Sequence, residues 1–250
     1  MSIIRPDTMF GVLWHTIDAY VRNFQLLLTV SLPFLIVFPL ALFLPNFTAL
    51  GGIFLRFGSI SRDVSLFDVS IIAIAFAISL LLFSFALVAI NMVIKTERTL
   101  NKIRIYDFEK IEQYTLKLFS LFFVVFVLSL AANMLLYEYG LHTKLGALVS
   151  FVLSLAVVFA PQAIVIDGQH ARHAPKMSFS IISRKFPLFL SYVIIAVLLL
   201  LVNAAIFLSI APAIGVVAAQ LLTVVVNALL VIPFLEVLKT QVYLSKYTLM

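Results

Sequence analysis

Six apolar runs dictate what this chain can fold into: residues 24–44, 69–94, 118–136, 145–166, 187–210 and 214–235. Each comes close to the roughly 20 residues with which a helix crosses a hydrocarbon layer about 30 Å thick. Backbone N–H and C=O groups have no water to bind in that layer, so runs of this length satisfy them internally, as helices. Composition points the same way. The 250 residues are 64% hydrophobic and 11% charged, with a mean hydropathy of +1.18, where soluble domains are about half apolar and a quarter charged. A single soluble core is excluded. The expected fold is all-α: a polytopic membrane protein with six transmembrane helices in one integral domain over residues 1–250.

The connections set the orientation. Of the 17 Lys and Arg residues, 14 lie before the first run, in the second and fourth connections or after the last run, and 3 lie in the first, third and fifth connections. Cytoplasmic loops carry the excess of basic residues, which places both termini and the two basic connections in the cytoplasm, for a multi-pass protein of the cell membrane. No cleavable signal peptide is expected, because the first long run begins only near Phe24 and no small-residue cleavage site follows it. The net charge of +6 then faces anionic headgroups rather than nucleic acid. Cysteine is absent, so disulfides and thiolate metal sites are excluded.

Short patterned segments precede the odd-numbered runs. In residues 8–24, Met9, Phe10, Leu13, Trp14, Ile17, Tyr20, Val21 and Phe24 share one helical face and Gly11, His15, Asp18 and Arg22 the other. Such a helix is expected to lie in the interface plane, with Trp14 at headgroup depth. Residues 107–119 read similarly, and in residues 174–184 Ala174, Met177, Ile181 and Ile182 oppose Lys176, Ser180, Ser183 and Arg184. The chain therefore reads as three parallel repeats, about 8–94, 107–166 and 174–238, each a cytoplasmic amphipathic helix followed by a two-span hairpin. Pro33 and Pro39 are expected to bend the first run, and the last two runs are expected to form a tight hairpin around Pro212.

The fourth connection carries the most specific pattern. Pro161, Asp167-Gly168, Ala174, Ser178, Phe179 and the apolar Ile181-Ile182 resemble the connection P-x-x-x-(I/V)-x-(E/D)-G, a short spacer, then A-x-x-x-S-(W/F), of uncharacterised six-span membrane proteins. These are related to the membrane domain that accompanies some glycerophosphodiester phosphodiesterases. The resemblance covers the six-span layout and is specific over residues 161–186, where Pro175 departs from the pattern. It implies membrane location and a lipid-related role. Phosphodiesterase activity in that family belongs to a separate soluble domain with no counterpart among these residues.

Residues able to do chemistry are few. The six runs hold no Asp, Glu, Lys, Arg or His, which removes the proton relays and ion-pair switches expected of many pumps. The polar residues inside them are amides and hydroxyls, among them Asn91, Asn133, Gln162, Asn203, Gln220 and Asn227, and two readings stay open. They hydrogen-bond between helices, at about 0.6–2 kcal/mol each, or Asn203, Gln220 and Asn227 line a polar cavity between the last two runs. His170 and His173 lack a third ligand apart from Asp167, and His142 falls on the opposite side, so no metal or cofactor is expected. Glu236 and Lys239, one helical turn apart, are expected to stabilise the exit of the sixth run. Arg172, Lys176, Arg184 and Lys185 are the candidate contacts to anionic lipid.

Three function classes remain. The favoured one is a non-catalytic protein that binds, organises or moves lipids or other amphiphiles. The second is a transporter or channel for a small neutral solute, lined by the amides. The third is an intramembrane enzyme, for which only Asp167 with His170 and His173 gathers ionisable groups at the interface. The expected partners are anionic lipid headgroups, with a second copy of the chain or another membrane protein left open.

Overall fold

The computed structural model describes residues 8–42, 47–50, 53–56, 66–99, 105–140 and 142–247. These form α1 (Met9–Arg22), α2 (Phe24–Ser31), α3 (Phe34–Leu42), α4 (Leu66–Thr99), α5 (Ile105–Glu138), α6 (His142–Val157), α7 (Ala160–Val165), α8 (Ala174–Arg184), α9 (Phe186–Ile214), α10 (Val216–Val226) and α11 (Ile232–Leu244). A small antiparallel ribbon of β1 (Phe47–Leu50) and β2 (Ile53–Arg56) lies between α3 and α4 in the chain, with Phe47 opposite Arg56 and Leu50 opposite Ile53. A π-helical turn, Asn227–Val231, joins α10 to α11.

Five segments among the described residues are long and apolar enough to cross a membrane: Ala73–Glu97, Glu109–Glu138, Leu145–Val165, Phe186–Ile214 and Val216–Leu244. A sixth exists only if α1 is counted with Phe24–Phe38, and that pair is bent by 80°. The architecture is thus a helical membrane protein with five or six apolar spans. Large side chains such as Ile194, Leu201, Ile206, Leu208 and Val217 are exposed along α9 and α10, a surface that only lipid or another apolar partner covers favourably.

Helix breaks fall where the residues require them. Thr8 caps α1 by accepting from the Gly11 N–H at 3.2 Å, and at the other end Asn23 turns its amide back onto the Ala19 carbonyl at 2.9 Å. The first apolar run is interrupted again at Leu32-Pro33, between α2 and α3, because proline removes a backbone donor and crowds the preceding turn. Residues 105–138 contain neither glycine nor proline. The patterned stretch 107–119 is accordingly not a separate helix but the first part of α5, whose 34 residues extend about 51 Å at 1.5 Å each. Pro212 also departs from expectation: α9 runs through it, and the hairpin turns at Gly215, whose φ of +89° suits a residue without Cβ.

The break between α6 and α7 has a different cause. In an unbroken helix the Phe159 N–H would donate to the Leu155 carbonyl. Here the Ser178 hydroxyl on α8 stands between them, donating to Leu155 O at 2.7 Å and accepting from Phe159 N at 3.3 Å. A side chain inserted in the ladder is a recognised origin of a kink, and Pro161, just beyond, has no N–H to continue the pattern. α7 then ends at Asp167-Gly168, where Gly168 takes φ +68° and Gln169 N donates to Ala163 O at 3.1 Å.

The core lies at one end of the bundle, where the second half of α4 meets α7 and α11. Leu87, Val88, Ile90, Ile94, Phe159, Ile164, Val237, Leu238 and Tyr243 are at most 1% exposed there. Phe34 packs on Phe83 with ring centres 5.5 Å apart, and Phe159 approaches Tyr243 at 6.1 Å. α9, by contrast, packs chiefly on α10 and leaves space beside α6.

Candidate functional site

α11 brings charge into the core. Glu236 and Lys239 pair through Oε2 and Nζ at 2.5 Å, and their side chains are only 4% and 3% exposed. Their turn-apart spacing is helical, as expected. Their setting is not the exit of a span: apolar residues continue past them to Leu244, and both charges are buried inside the segment Val216–Leu244. The six-run division ended at residue 235 and so left this pair outside the sixth run, whereas the structure buries the ion pair within the apolar segment Val216–Leu244.

Neighbouring helices supply what a buried carboxylate needs. Asn91 on α4 and Gln162 on α7 each donate to Glu236 Oε1 at 2.8 Å. Thr240 Oγ1 lies 2.8 Å from both Asn91 Oδ1 and the Glu236 carbonyl, so its one proton serves one of them or is shared. Gln162 Oε1 is left without a protein partner. Desolvating two charges costs several kcal/mol per ion, which their attraction offsets only when hydrogen bonds satisfy the remaining atoms. For Glu236 they do so on both oxygens.

This cluster forms the polar end of a cavity of about 430 Å³ bounded by α3, α4, α6, α9 and α11, within the roughly 300–1,000 Å³ of small-molecule sites. Tyr192, Glu236 and Lys239 line that end, while Phe83, Phe151, Val197 and Leu200 make most of the rest apolar. Phe151 on α6 and Val197 and Leu200 on α9 are also 47%, 50% and 39% exposed, so this side of the cavity lies at the surface of the bundle.

Asn203 and Asn227 meet as well, Nδ2 of the first donating to Oδ1 of the second at 2.8 Å and to the Thr223 carbonyl at 3.2 Å. Asn227 lines the cavity, Asn203 is buried between α9 and α10, and Gln220 lies exposed on α10. On α8 and the turn before it, Arg172, Lys176 and Arg184 are exposed and Lys185 is half-buried, while Ala174, Ser178, Ile181 and Ile182 face inward. Asp167 accepts from Tyr243 Oη at 2.6 Å and from Lys246 Nζ at 2.5 Å, tying the α7 turn to the end of α11. His170 and His173 are exposed, and the side chain of His142 lies outside the described residues. Among the described residues no three His, Cys, Asp or Glu groups gather as metal ligands.

Sequence reasoning singled out Asn91 and Gln162 as intramembrane amides but missed Tyr192, Glu236, Lys239 and Thr240 as members of a site. One signal was present: Val237, Leu238, Val242 and Leu244 keep the run apolar on both sides of Lys239. No family model, curated protein or solved structure matches the chain.

Proposed function

We propose that the protein is a non-catalytic, multi-pass membrane protein that takes an amphiphile from the bilayer into the cavity between α6 and α9. One observation carries the reading: the rim formed by Phe151, Val197 and Leu200 is apolar and exposed, while the inner end holds buried charge. A ligand with both tail and head suits that gradient, and it reaches the opening without crossing water. The channel reading has less support, because Asn203 spends its amide donors on Asn227 and Thr223 instead of offering them to a passing solute.

In this reading the protein sits in the cell membrane with both termini cytoplasmic, following the distribution of basic residues, and its three units are parallel repeats. The exposed stripe of Phe10, Trp14, Ile17 and Val21 on α1 suits the lipid interface. Arg172, Lys176, Arg184 and Lys185 contact anionic headgroups from the cytoplasmic side. Kinship with the six-span family, suggested by Pro161, Asp167-Gly168 and Ser178, points to lipid as well.

The test is native mass spectrometry of protein extracted with its lipid. The parent should carry an amphiphile of defined mass, and Val197→Trp and Leu200→Trp, which fill the mouth of the cavity, should lose it. A parent without bound amphiphile, or unchanged occupancy in both variants, refutes the proposal.

A further inference from the structure

We infer that the amphiphile has an anionic head, held by Lys239 and Tyr192; this rests on the proposed occupancy of the cavity. The hydrogen-bond inventory at the polar end carries the argument. Glu236 is served on Oε1 by Asn91 and Gln162 and on Oε2 by Lys239, so its carboxylate asks little of a ligand. Lys239 has three N–H donors and spends them on one partner, Glu236 Oε2. Its side chain is 3% exposed and lines the cavity, so the remaining donors have no water in bulk to turn to. Tyr192 lines the same end, and its hydroxyl has no hydrogen bond among the described residues. The site therefore presents a surplus of donors, on an ammonium and a phenol, which is the complement of a carboxylate or a phosphate monoester: both offer several acceptor lone pairs and form short, strong bonds to an ammonium. A quaternary ammonium head has no acceptor for these donors, and a hydroxyl head has only two uncharged lone pairs. Asn227, farther along the cavity, adds a neutral amide whose oxygen is already taken by Asn203.

The cavity's length accommodates a tail. From Phe189 to Leu200 the lining follows α9 for three turns, about 16 Å of helix, along which an extended hydrocarbon chain can lie.

Photoreactive probes that share one diazirine-bearing tail and differ in the head, carboxylate, phosphate or methyl ester, test this with the intact protein in zwitterionic nanodiscs. The acid and phosphate probes should label residues 151–158 and 193–200 about tenfold more efficiently than the ester, equivalent to about 1.4 kcal/mol. The preferred anion identifies the source, a free acid or a lysophospholipid-like phosphate. In the Glu236→Gln, Lys239→Met double variant, labelling should persist but the preference should fall to about twofold or less. Tyr192→Phe, which leaves the ion pair alone, should lower the preference part of the way. Equal labelling by ester and anions overturns the assignment of the head while leaving the cavity occupied. Failure of every probe to label these residues removes the occupancy itself.

Discussion

Lys239→Met is predicted to be one of the most destabilising single changes in this chain. The substitution keeps most of the side chain's volume and apolar stem and removes the ammonium that serves Glu236 Oε2 at 2.5 Å. The carboxylate stays 4% exposed, still bonded to Asn91 and Gln162 through Oε1 but with one oxygen and its charge uncompensated. Breaking one side of a buried pair costs about 3–5 kcal/mol, whereas an exposed helical pair of the same spacing is worth about 0.3–0.5 kcal/mol. Adding Glu236→Gln to the same chain removes the orphaned charge and keeps an acceptor for Asn91 and Gln162. The double variant should therefore cost only about 1–2 kcal/mol, leaving a coupling energy of a few kcal/mol between the sites. Reversible unfolding in mixed micelles with increasing dodecyl sulfate, followed by circular dichroism, measures all three. A cost below about 1 kcal/mol for Lys239→Met, or simple additivity in the double variant, would refute the claim that this pair is buried and mutually dependent.

Ser178→Ala should cost about 2–6 kcal/mol in the same assay, since it strands the Leu155 carbonyl and Phe159 N–H at roughly 1–3 kcal/mol for each unsatisfied group; a loss under about 0.5 kcal/mol would mean that α6 and α7 rejoin without it. Asn227→Leu should cost no more than about 2 kcal/mol if the amide serves only to join helices, and loss of ligand binding at unchanged thermal stability would instead give it a place in the site. Replacing Arg172, Lys176, Arg184 and Lys185 together by Gln should forfeit on the order of 4 kcal/mol of attraction to anionic lipid before screening, seen as loss of any preference for anionic over zwitterionic nanodiscs; an undiminished preference, or none in the parent, removes the anchoring role. Cysteines placed at Lys102 and Arg172 should resist an impermeant thiol reagent outside intact cells while one at Ser61 reacts, and labelling of all three would overturn the proposed orientation.

What the residues alone determined is the class of fold, because hydropathy acts locally: a run of apolar side chains about 20 residues long has few ways to satisfy its backbone, whatever packs beside it. Turn chemistry was equally local. The glycine of Asp167-Gly168 takes the left-handed conformation its type permits, and Pro33 falls at the break between α2 and α3, although α9 runs through Pro212. The absence of any breaker in residues 105–138 was legible too, and it foretells the single helix α5 better than the charge pattern does. Beyond that reach, neighbours decide. The kink between α6 and α7 depends on a hydroxyl 19 residues from the N–H that it accepts. The setting of Glu236 depends on Asn91, 145 residues away, and Gln162, 74 away. Read along the chain, Glu236 and Lys239 are indistinguishable from a solvated helical pair, since a spacing of three says nothing about what covers it. Only the packing of α4 and α7 on α11 turns two charges at the end of an apolar run into the buried end of a cavity.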